Sequence, residues 1–408
     1  MLNPWKVKIQ QSTKILLCLA ALFFPFSVAA ANTALALALI SGLFSSLLWH
    51  GVIKLWQAYR PLTFAIIGYL ILVLLGVSWS LDKHYGLEVA GHLWLWLLLP
   101  LILMALQEKQ WRSRFLISLS IGLSLHLLAC VFQKLGLVNI IAGGSSTADA
   151  TGYIGHISFG IVYSVWAGWL LHYGWFKHGW KRVIVWLLSL WSFAMIFSAQ
   201  GRSGYMAATA VLILVFWKHL ISGHDWKRML FTLSAGALLA IIVILGPGKE
   251  RIAQTIDGIQ AAGQGDLRHV EARWIIWLGA IEIWKEHPVF GVGTGGYPEA
   301  AKIIKKQHPQ LDDRNIYGHI HNIYLQSLVR WGPVGMIMIC ALFWFWLRTG
   351  SRQPWSDHSN ALIELSAIAL IIHGMSSVSL EEHFATIFAI FSLAVGLSSS
   401  RKAEPSSL

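Results

Sequence analysis

Long apolar runs recur along most of this chain of 408 residues, and they constrain its fold more than any other feature. Many of them approach the length of about 20 residues that a helix needs to cross the hydrocarbon core of a bilayer. The composition agrees, since 56% of the residues are hydrophobic and only 12% are charged, far outside the range of soluble proteins. The sequence therefore predicts an all-α integral membrane protein.

The apolar runs predict about twelve transmembrane helices. They cover residues 14–30, 33–53, 61–81, 87–106, 115–133, 155–174, 183–199, 204–221, 229–246, 332–347, 361–379 and 384–399. An even number of spans leaves both ends of the chain on one side of the membrane. The chain then divides into residues 1–246 with spans one to nine, residues 247–331 as one large, mainly helical loop, and residues 332–408 with the last three spans and a tail.

The distribution of positive charge predicts the orientation. Eighteen lysines and arginines fall in the tails and even-numbered connections, against three, Lys83, Lys134 and Arg202, in the short opposite connections. Because basic residues favour the cytoplasmic side, we expect both termini to be cytoplasmic and the large loop to be periplasmic. The net charge of +12 then reflects membrane orientation, and nucleic acid is not an expected partner.

The first span also has features of a cleaved signal peptide. Lys6, Lys8 and Lys14 precede an apolar stretch that ends in small residues. Asn32 lies outside the membrane under either interpretation, and the sequence leaves open whether the first span is cleaved.

The large loop contains an amphipathic segment at 266–288, "DLRHVEARWIIWLGAIEIWKEHP". Its tryptophans follow helical spacing, while Arg273 and Glu282 offer a polar face, and the following glycines and proline end the helix. A second helix is predicted from near His321 into the tenth span. The loop is expected to lie as a lid over the outer face of the bundle.

Arg202 lies in the tight turn "SAQGRSGYM", where orientation statistics disfavour an arginine. It either extends to the lipid headgroups or binds an anionic ligand. Arg273 either pairs with Asp266 or Glu271 on its own helix or binds the same ligand. His321 is either a solvated loop histidine or a general base.

No cofactor and no metal site are predicted. His319 and His321 share a face only in extended backbone, and no carboxylate constellation accompanies them. Cys18, Cys130 and Cys340 fall far apart in predicted spans, so neither a metal cluster nor structural disulfides are expected.

Two outward arginines and a histidine suit the transfer of a sugar from a lipid diphosphate. Arginines bind a diphosphate through forked, charge-assisted hydrogen bonds and stabilise the charge that grows as it leaves. The acceptor hydroxyl is a weak nucleophile, and a histidine can take its proton near neutral pH.

Three segments resemble the O-antigen ligase and polymerase superfamily of bacterial envelope proteins. They are "QGRSGYMA", "ARWIIWLGAIEIWKEHPVFGVGTGGY" and "HNIYLQSLVRWGPVG", and the resemblance covers the chain from about residue 190 onward. The order Gly201-Arg202-Ser203-Gly204 departs from the family's Ser-Arg-Gly turn.

The resemblance implies that His321 is the catalytic base and that Arg202 and Arg273 bind an undecaprenyl diphosphate donor. It implies an inner-membrane O-antigen ligase that moves a polysaccharide to lipid A–core oligosaccharide, inverting and metal-independent, with the site on the periplasmic side. The oligomeric state is unknown.

Two alternatives remain. A polymerase acting on the same lipid carrier usually has two sizeable periplasmic loops, whereas the second-largest loop here, about 134–154, is short. A transporter or flippase of an anionic lipid or solute would use His126, Glu364 and His373 along its path.

Overall fold

The computed structural model describes residues 4–140, 145–199, 201–222, 272–307 and 319–399. Its helices are α1 (Pro4–Phe23), α2 (Val28–Phe44), α3 (Leu47–Ala58), α4 (Arg60–Gly76), α5 (Lys83–Gly91), α6 (Leu98–Ala105), α7 (Lys109–Lys134), α8 (His156–Gly174), α9 (Gly179–Ser198), α10 (Arg202–Ser222), α11 (Ala272–Glu286), α12 (Tyr297–Gln307), α13 (Ile323–Ser351), α14 (His358–His373) and α15 (His383–Ser399), with a 3₁₀ helix at His92–Leu97. No strand occurs in these ranges, so the predicted all-α class is confirmed for them.

Several of these helices are apolar enough to cross a membrane. Within the described ranges, four meet the length and hydropathy that a span needs, and a bent pair makes a fifth candidate. The four are Lys83–Ala105, Lys109–Lys134, Gly179–Ser198 and Ile323–Ser351, and the pair is Val28–Phe44 with Leu47–Ala58. The count of about twelve spans stays a prediction, and its ninth member, 229–246, lies outside the described residues.

The outer surface of the helices is strongly apolar. Ile337 is 67% exposed, Ile213 62% and Ile117 58%, each on a different helix. A soluble protein rarely exposes so many large aliphatic side chains, because their contact with water is unfavourable. These surfaces fit a hydrocarbon environment and support a membrane protein.

The predicted single helix over 33–53 is wrong in one respect. The segment forms α2 and α3, which meet at an angle of 84°. Ser46 takes the left-handed conformation at the break, with φ of 67°. Beyond it α3 packs closely on α6, because a Cβ at Gly51 would lie 2.0 Å from the carbonyl oxygen of Pro100. Close packing of α3 on α6 therefore accompanies a bend that the continuous apolar run does not predict.

The glycine-rich segment after α11 docks between α4 and α13. Thr294 donates through its hydroxyl to the Val73 carbonyl at 2.7 Å and accepts from Trp331 Nε1 at 3.0 Å. Gly293 has φ of +83°, and a Cβ there would lie 2.3 Å from the Cα of Ser80. The prediction that α11 ends at the glycines and proline is confirmed, and the glycines are needed for close docking.

α13 carries the chain from the predicted loop into the predicted tenth span. Its helical path breaks at Gly332, with φ of 65° and ψ of −160°, where Pro333 follows. A Cβ at Gly332 would lie 1.9 Å from the Val289 carbonyl oxygen. The predicted boundary at residue 332 therefore coincides with a real break, although hydrogen-bonded helix lies on both sides of it.

The buried face of α11 is mainly aliphatic. Ile276, Ala280 and Ile283 pack into a small core with Ile320 and Val329. Trp277 and Trp284 pack partly buried against this core, whereas Trp274 is 44% exposed. The helix thus packs on α13 mainly through aliphatic side chains.

Candidate active site

His321 has an unusual backbone conformation. Its φ is 55°, and among the described residues only Ser46 is another non-glycine with positive φ. Such a conformation costs on the order of 1–3 kcal/mol, and it persists only where the surroundings hold it. Directly after it, Asn322 caps α13, since its Oδ1 accepts from the backbone N–H groups of Tyr324 and Leu325 at 3.0 Å each.

The residues on both sides of His321 hold this backbone in place. The Ile320 N–H donates to Gln326 Oε1 at 2.8 Å, and the Ile320 carbonyl accepts from Trp277 Nε1 at 3.1 Å. On the other side, the Ile323 N–H donates to the Gly374 carbonyl at 2.9 Å. Helices α11 and α13 and the end of α14 therefore fix the position of His321 together.

The imidazole of His321 lies among other cationic or titratable groups. The ring of His319 packs edge-on against it, with centroids 4.2 Å apart. Burial, and after it the neighbouring His319, Arg273 and His156, together lower the pKa of His321 to about 3. Burial also lowers the pKa of His319. A neutral imidazole is the form that accepts a proton, so His321 is in the basic form near neutral pH.

Arg273 lies in the first turn of α11 and is half-buried. Its guanidinium is close enough for its charge to act on His321 and on His373 at the end of α14. Its predicted alternative partners, Asp266 and Glu271, lie outside the described residues. The structure thus brings Arg273 and His321 together.

Arg202 begins α10 at the same end of the bundle. The preceding Gly201 lies against α8, since a Cβ there would be 2.9 Å from the carbonyl oxygen of His156. One turn on, Gly204 and Gly160 let α10 and α8 cross closely, because a Cβ at Gly160 would lie 2.5 Å from the Gly204 Cα. Arg202 therefore directly follows Gly201, which contacts His156. The charge of His156 in turn acts on His321.

Comparison with known proteins finds a family match. Residues 187–340 match the family model described as O-antigen ligase. The match covers less than half of the chain. The matched range includes Arg202, Arg273 and His321, the three residues that the sequence singles out.

One curated relative shares part of the chain. It is an uncharacterized protein of Haemophilus influenzae, 28% identical over 162 residues. The match covers 36% of this chain and 39% of that relative, so the chain spans well under two thirds of the relative's length.

An ion pair that the sequence does not predict lies close to His321. Arg330 is fully buried, and its Nη1 donates to Glu381 Oε1 at 2.6 Å. Gln326 Nε2 donates to the same oxygen at 2.7 Å. Gln326 therefore connects Glu381 to the backbone just before His321. An arginine inside an apolar run is itself a signal, because a buried charge requires a partner.

A second ion pair that the sequence does not predict lies at the start of α8. His156 Nδ1 is 3.2 Å from Asp149 Oδ2, and Asp149 is buried. This contact orients the imidazole of His156 at the start of α8. Glu382 lies near it as well, since burial and Glu381 raise the pKa of Glu382 whereas His156 lowers it.

No arrangement of metal ligands is evident in the part of the chain that the structure describes. No three His, Cys, Asp or Glu side chains group there in a way that would hold an ion. Metal independence stays a prediction.

A large cavity lies elsewhere in the described part of the chain. A groove of about 1140 Å³ lies among α7, α8 and α9 and is lined by Lys109, Arg112 and Asp357 among others. No residue of the His321 group, which comprises His321, His319, Arg273 and His156, lines this groove. Size alone therefore does not identify the site, and the chemistry of the His321 group carries more weight.

Proposed function

We propose that the protein is an O-antigen ligase, which transfers a polysaccharide from undecaprenyl diphosphate to lipid A–core oligosaccharide. The family match supports a function of O-antigen ligase or polymerase type. The observation that carries the proposal is the imidazole of His321, held in a fixed backbone conformation against the ring of His319 and close to the guanidinium of Arg273.

In the proposed reaction His321 acts as the general base. The acceptor hydroxyl oxygen attacks the anomeric carbon of the donor, the bond from that carbon to the diphosphate oxygen breaks, and the hydroxyl proton passes to the imidazole. Direct displacement inverts the configuration at the anomeric carbon. A positioned base of this kind contributes about 10²–10⁴-fold to the rate.

Arg202 and Arg273 are proposed to bind the diphosphate. Negative charge grows on the leaving group as the glycosidic bond breaks, and guanidinium groups stabilise it through charge-assisted hydrogen bonds. The first turn of α10 also presents backbone N–H groups and the positive end of the helix dipole next to Arg202. This arrangement favours an anionic ligand beside Arg202.

The polar residues on which a transporter would depend are engaged in packing contacts. His126 Nδ1 is 2.8 Å from the Tyr163 hydroxyl, and Glu364 Oε2 is 2.8 Å from Lys218 Nζ. His373 lies 2.7 Å from the Ser379 hydroxyl through Nδ1. Buried polar groups with such partners stabilise helix packing, which favours an enzyme over a translocation path.

Reconstitution tests the proposal. Proteoliposomes holding the purified protein would receive undecaprenyl-diphosphate-linked glycan and lipid A–core oligosaccharide. We expect glycan on lipid A–core, separated and identified by electrophoresis and mass spectrometry. Longer glycan that stays on the lipid carrier would show a polymerase instead, and movement of the unchanged donor without any product would show a transporter.

A further inference from the structure

A second polar cavity lies next to the His321 group. Its volume is about 300 Å³, at the lower end of small-ligand pockets. It opens among α4, α5, the 3₁₀ helix and the connection from α14 to α15, and His319 forms part of its wall. Because the ring of His319 contacts His321, the cavity ends one side chain away from the proposed base.

The floor of this cavity is aromatic. Tyr69, Trp96 and Trp331 line it, and each is at most 5% exposed. The ring of Tyr69 lies 6.2 Å from the ring of Trp96 and 6.2 Å from that of Trp331. Flat aromatic surfaces suit the C–H face of a sugar ring, which is apolar although its rim carries hydroxyls.

The walls of the cavity carry carboxylates. Glu381, Glu382 and Glu88 all line the cavity. Glu381 and Glu382 are partly buried, whereas Glu88 is exposed and its Oε1 lies 3.4 Å from His84 Nδ1. Arg330 balances the charge of Glu381 through their contact of 2.6 Å. Carboxylate oxygens accept hydrogen bonds strongly, so this wall suits a ligand rich in hydroxyl donors.

The charges beside the two histidines differ. The charge of Arg273 acts on His321, whereas glutamates line the cavity that His319 bounds. Carboxylates repel a diphosphate, so the donor headgroup does not belong in this cavity. His321 does not line the cavity, so an acceptor held there would extend past His319 to bring its reacting hydroxyl within hydrogen-bond reach of the base.

From this difference in charge we propose that the cavity binds the acceptor, as a short uncharged saccharide segment beside the aromatic side chains of Tyr69, Trp96 and Trp331, with its hydroxyls on Glu88 and Glu382. The inference rests on the proposed function for the identity of the reaction, and it adds the place and chemistry of the second substrate.

Steady-state kinetics with Glu88→Gln and Glu382→Gln in proteoliposomes test it. The amide keeps the shape of each side chain but loses the charge-assisted hydrogen bond, so we expect KM for lipid A–core oligosaccharide to rise about tenfold in the double variant. KM for the lipid-linked donor is expected to stay within about twofold. Glu299→Gln is the matched control, since Glu299 lies on α12 and contacts Lys302 rather than the cavity.

An unchanged KM for the acceptor in the double variant would overturn the inference. Equal rises in both KM values would also overturn it, because they would show general damage to the site. Circular dichroism and thermal unfolding of each variant in detergent show whether the fold is retained.

Direct binding separates this inference from the proposed function. Calorimetry would measure binding of the delipidated core oligosaccharide to the wild-type protein in detergent. If the wild type transfers no glycan but binds this oligosaccharide, and the double variant binds it about tenfold more weakly, the saccharide site stands and the ligase proposal fails. If the wild type neither transfers nor binds, both fail.

Discussion

The ring of His319 packs edge-on against the ring of His321, with their centroids 4.2 Å apart. His319 also lines the carboxylate-walled cavity, whereas His321 lies within reach of the charge of Arg273. The two histidines, separated by one residue, therefore mark the boundary between an acidic and a basic environment. This boundary makes the pH dependence of the site testable.

We expect the activity to persist well below pH 6.5. The pKa of His321 is lowered to about 3, so the imidazole is almost entirely neutral, and able to accept a proton, from about pH 5 upward. Arg273, His319 and His156 face His321 and oppose its protonation, as burial does. In proteoliposomes, kcat/KM for the acceptor should stay flat from pH 8 down to about pH 5. An acidic limb centred near the ordinary pKa of histidine would contradict a buried, neutral base.

Gln326→Leu is expected to lower kcat without removing any substrate-contacting group. The substitution keeps much of the volume but leaves the Ile320 N–H without its acceptor and Glu381 without one of its donors. A shift of His321 by a fraction of an ångström should reduce kcat by about 10- to 100-fold. Gln353→Leu, in the turn after α13, serves as the control. Wild-type kcat in Gln326→Leu would show that this hydrogen-bonded link does not position the base.

Arg330→Met is expected to destabilise the protein by about 3–5 kcal/mol, because it leaves the carboxylate of Glu381 partly buried without its cation. Thermal unfolding in detergent measures this change. The double variant Arg330→Met with Glu381→Leu should regain most of the lost stability, since it removes both charges. If the single and double variants unfold at the same temperature as the wild type, the pair has no structural role.

Gly332→Ala is expected to prevent correct assembly of α13 on the loop. An added Cβ would lie 1.9 Å from the Val289 carbonyl oxygen, and neither backbone segment can move without displacing the glycine-rich segment after α11. Gly136→Ala is the matched control, since Gly136 also has positive φ, of +73°, but no neighbour within 4 Å of its Cβ position. The Gly136→Ala substitution should lower the free energy of unfolding by only about 1–2 kcal/mol. Equal yields of folded protein from both variants would contradict this prediction.

Local signals in the sequence were enough to predict the helices around this site. The sequence predicts a helix that starts near His321, an amphipathic helix that ends by about residue 288 and a boundary at residue 332, and α13, α11 and the break at Gly332 agree with these predictions. Arg273 and His321, far apart in the chain, were grouped by chemistry and resemblance, and the structure places them together. Their roles remain predictions.

The pairs that support the site could not be predicted from local pattern. Arg330 and Glu381 are 51 residues apart, and Gln326 and Glu381 are 55 apart. Each lies in a segment whose apolar neighbours indicate only a buried helix or a loop. Which polar residues meet depends on how α13 packs against the connection after α14, and this long-range packing leaves no periodic signal in the sequence.

The most direct test of the account is the transfer rate of His321→Ala in proteoliposomes that contain saturating donor and lipid A–core oligosaccharide. We expect the rate to fall by about 10³-fold or more, with binding of undecaprenyl diphosphate and thermal stability close to the wild-type values. Arg273→Ala, in contrast, should weaken binding of that lipid. A His321→Ala protein that transfers glycan at more than about a tenth of the wild-type rate would contradict the assignment of His321 as the base.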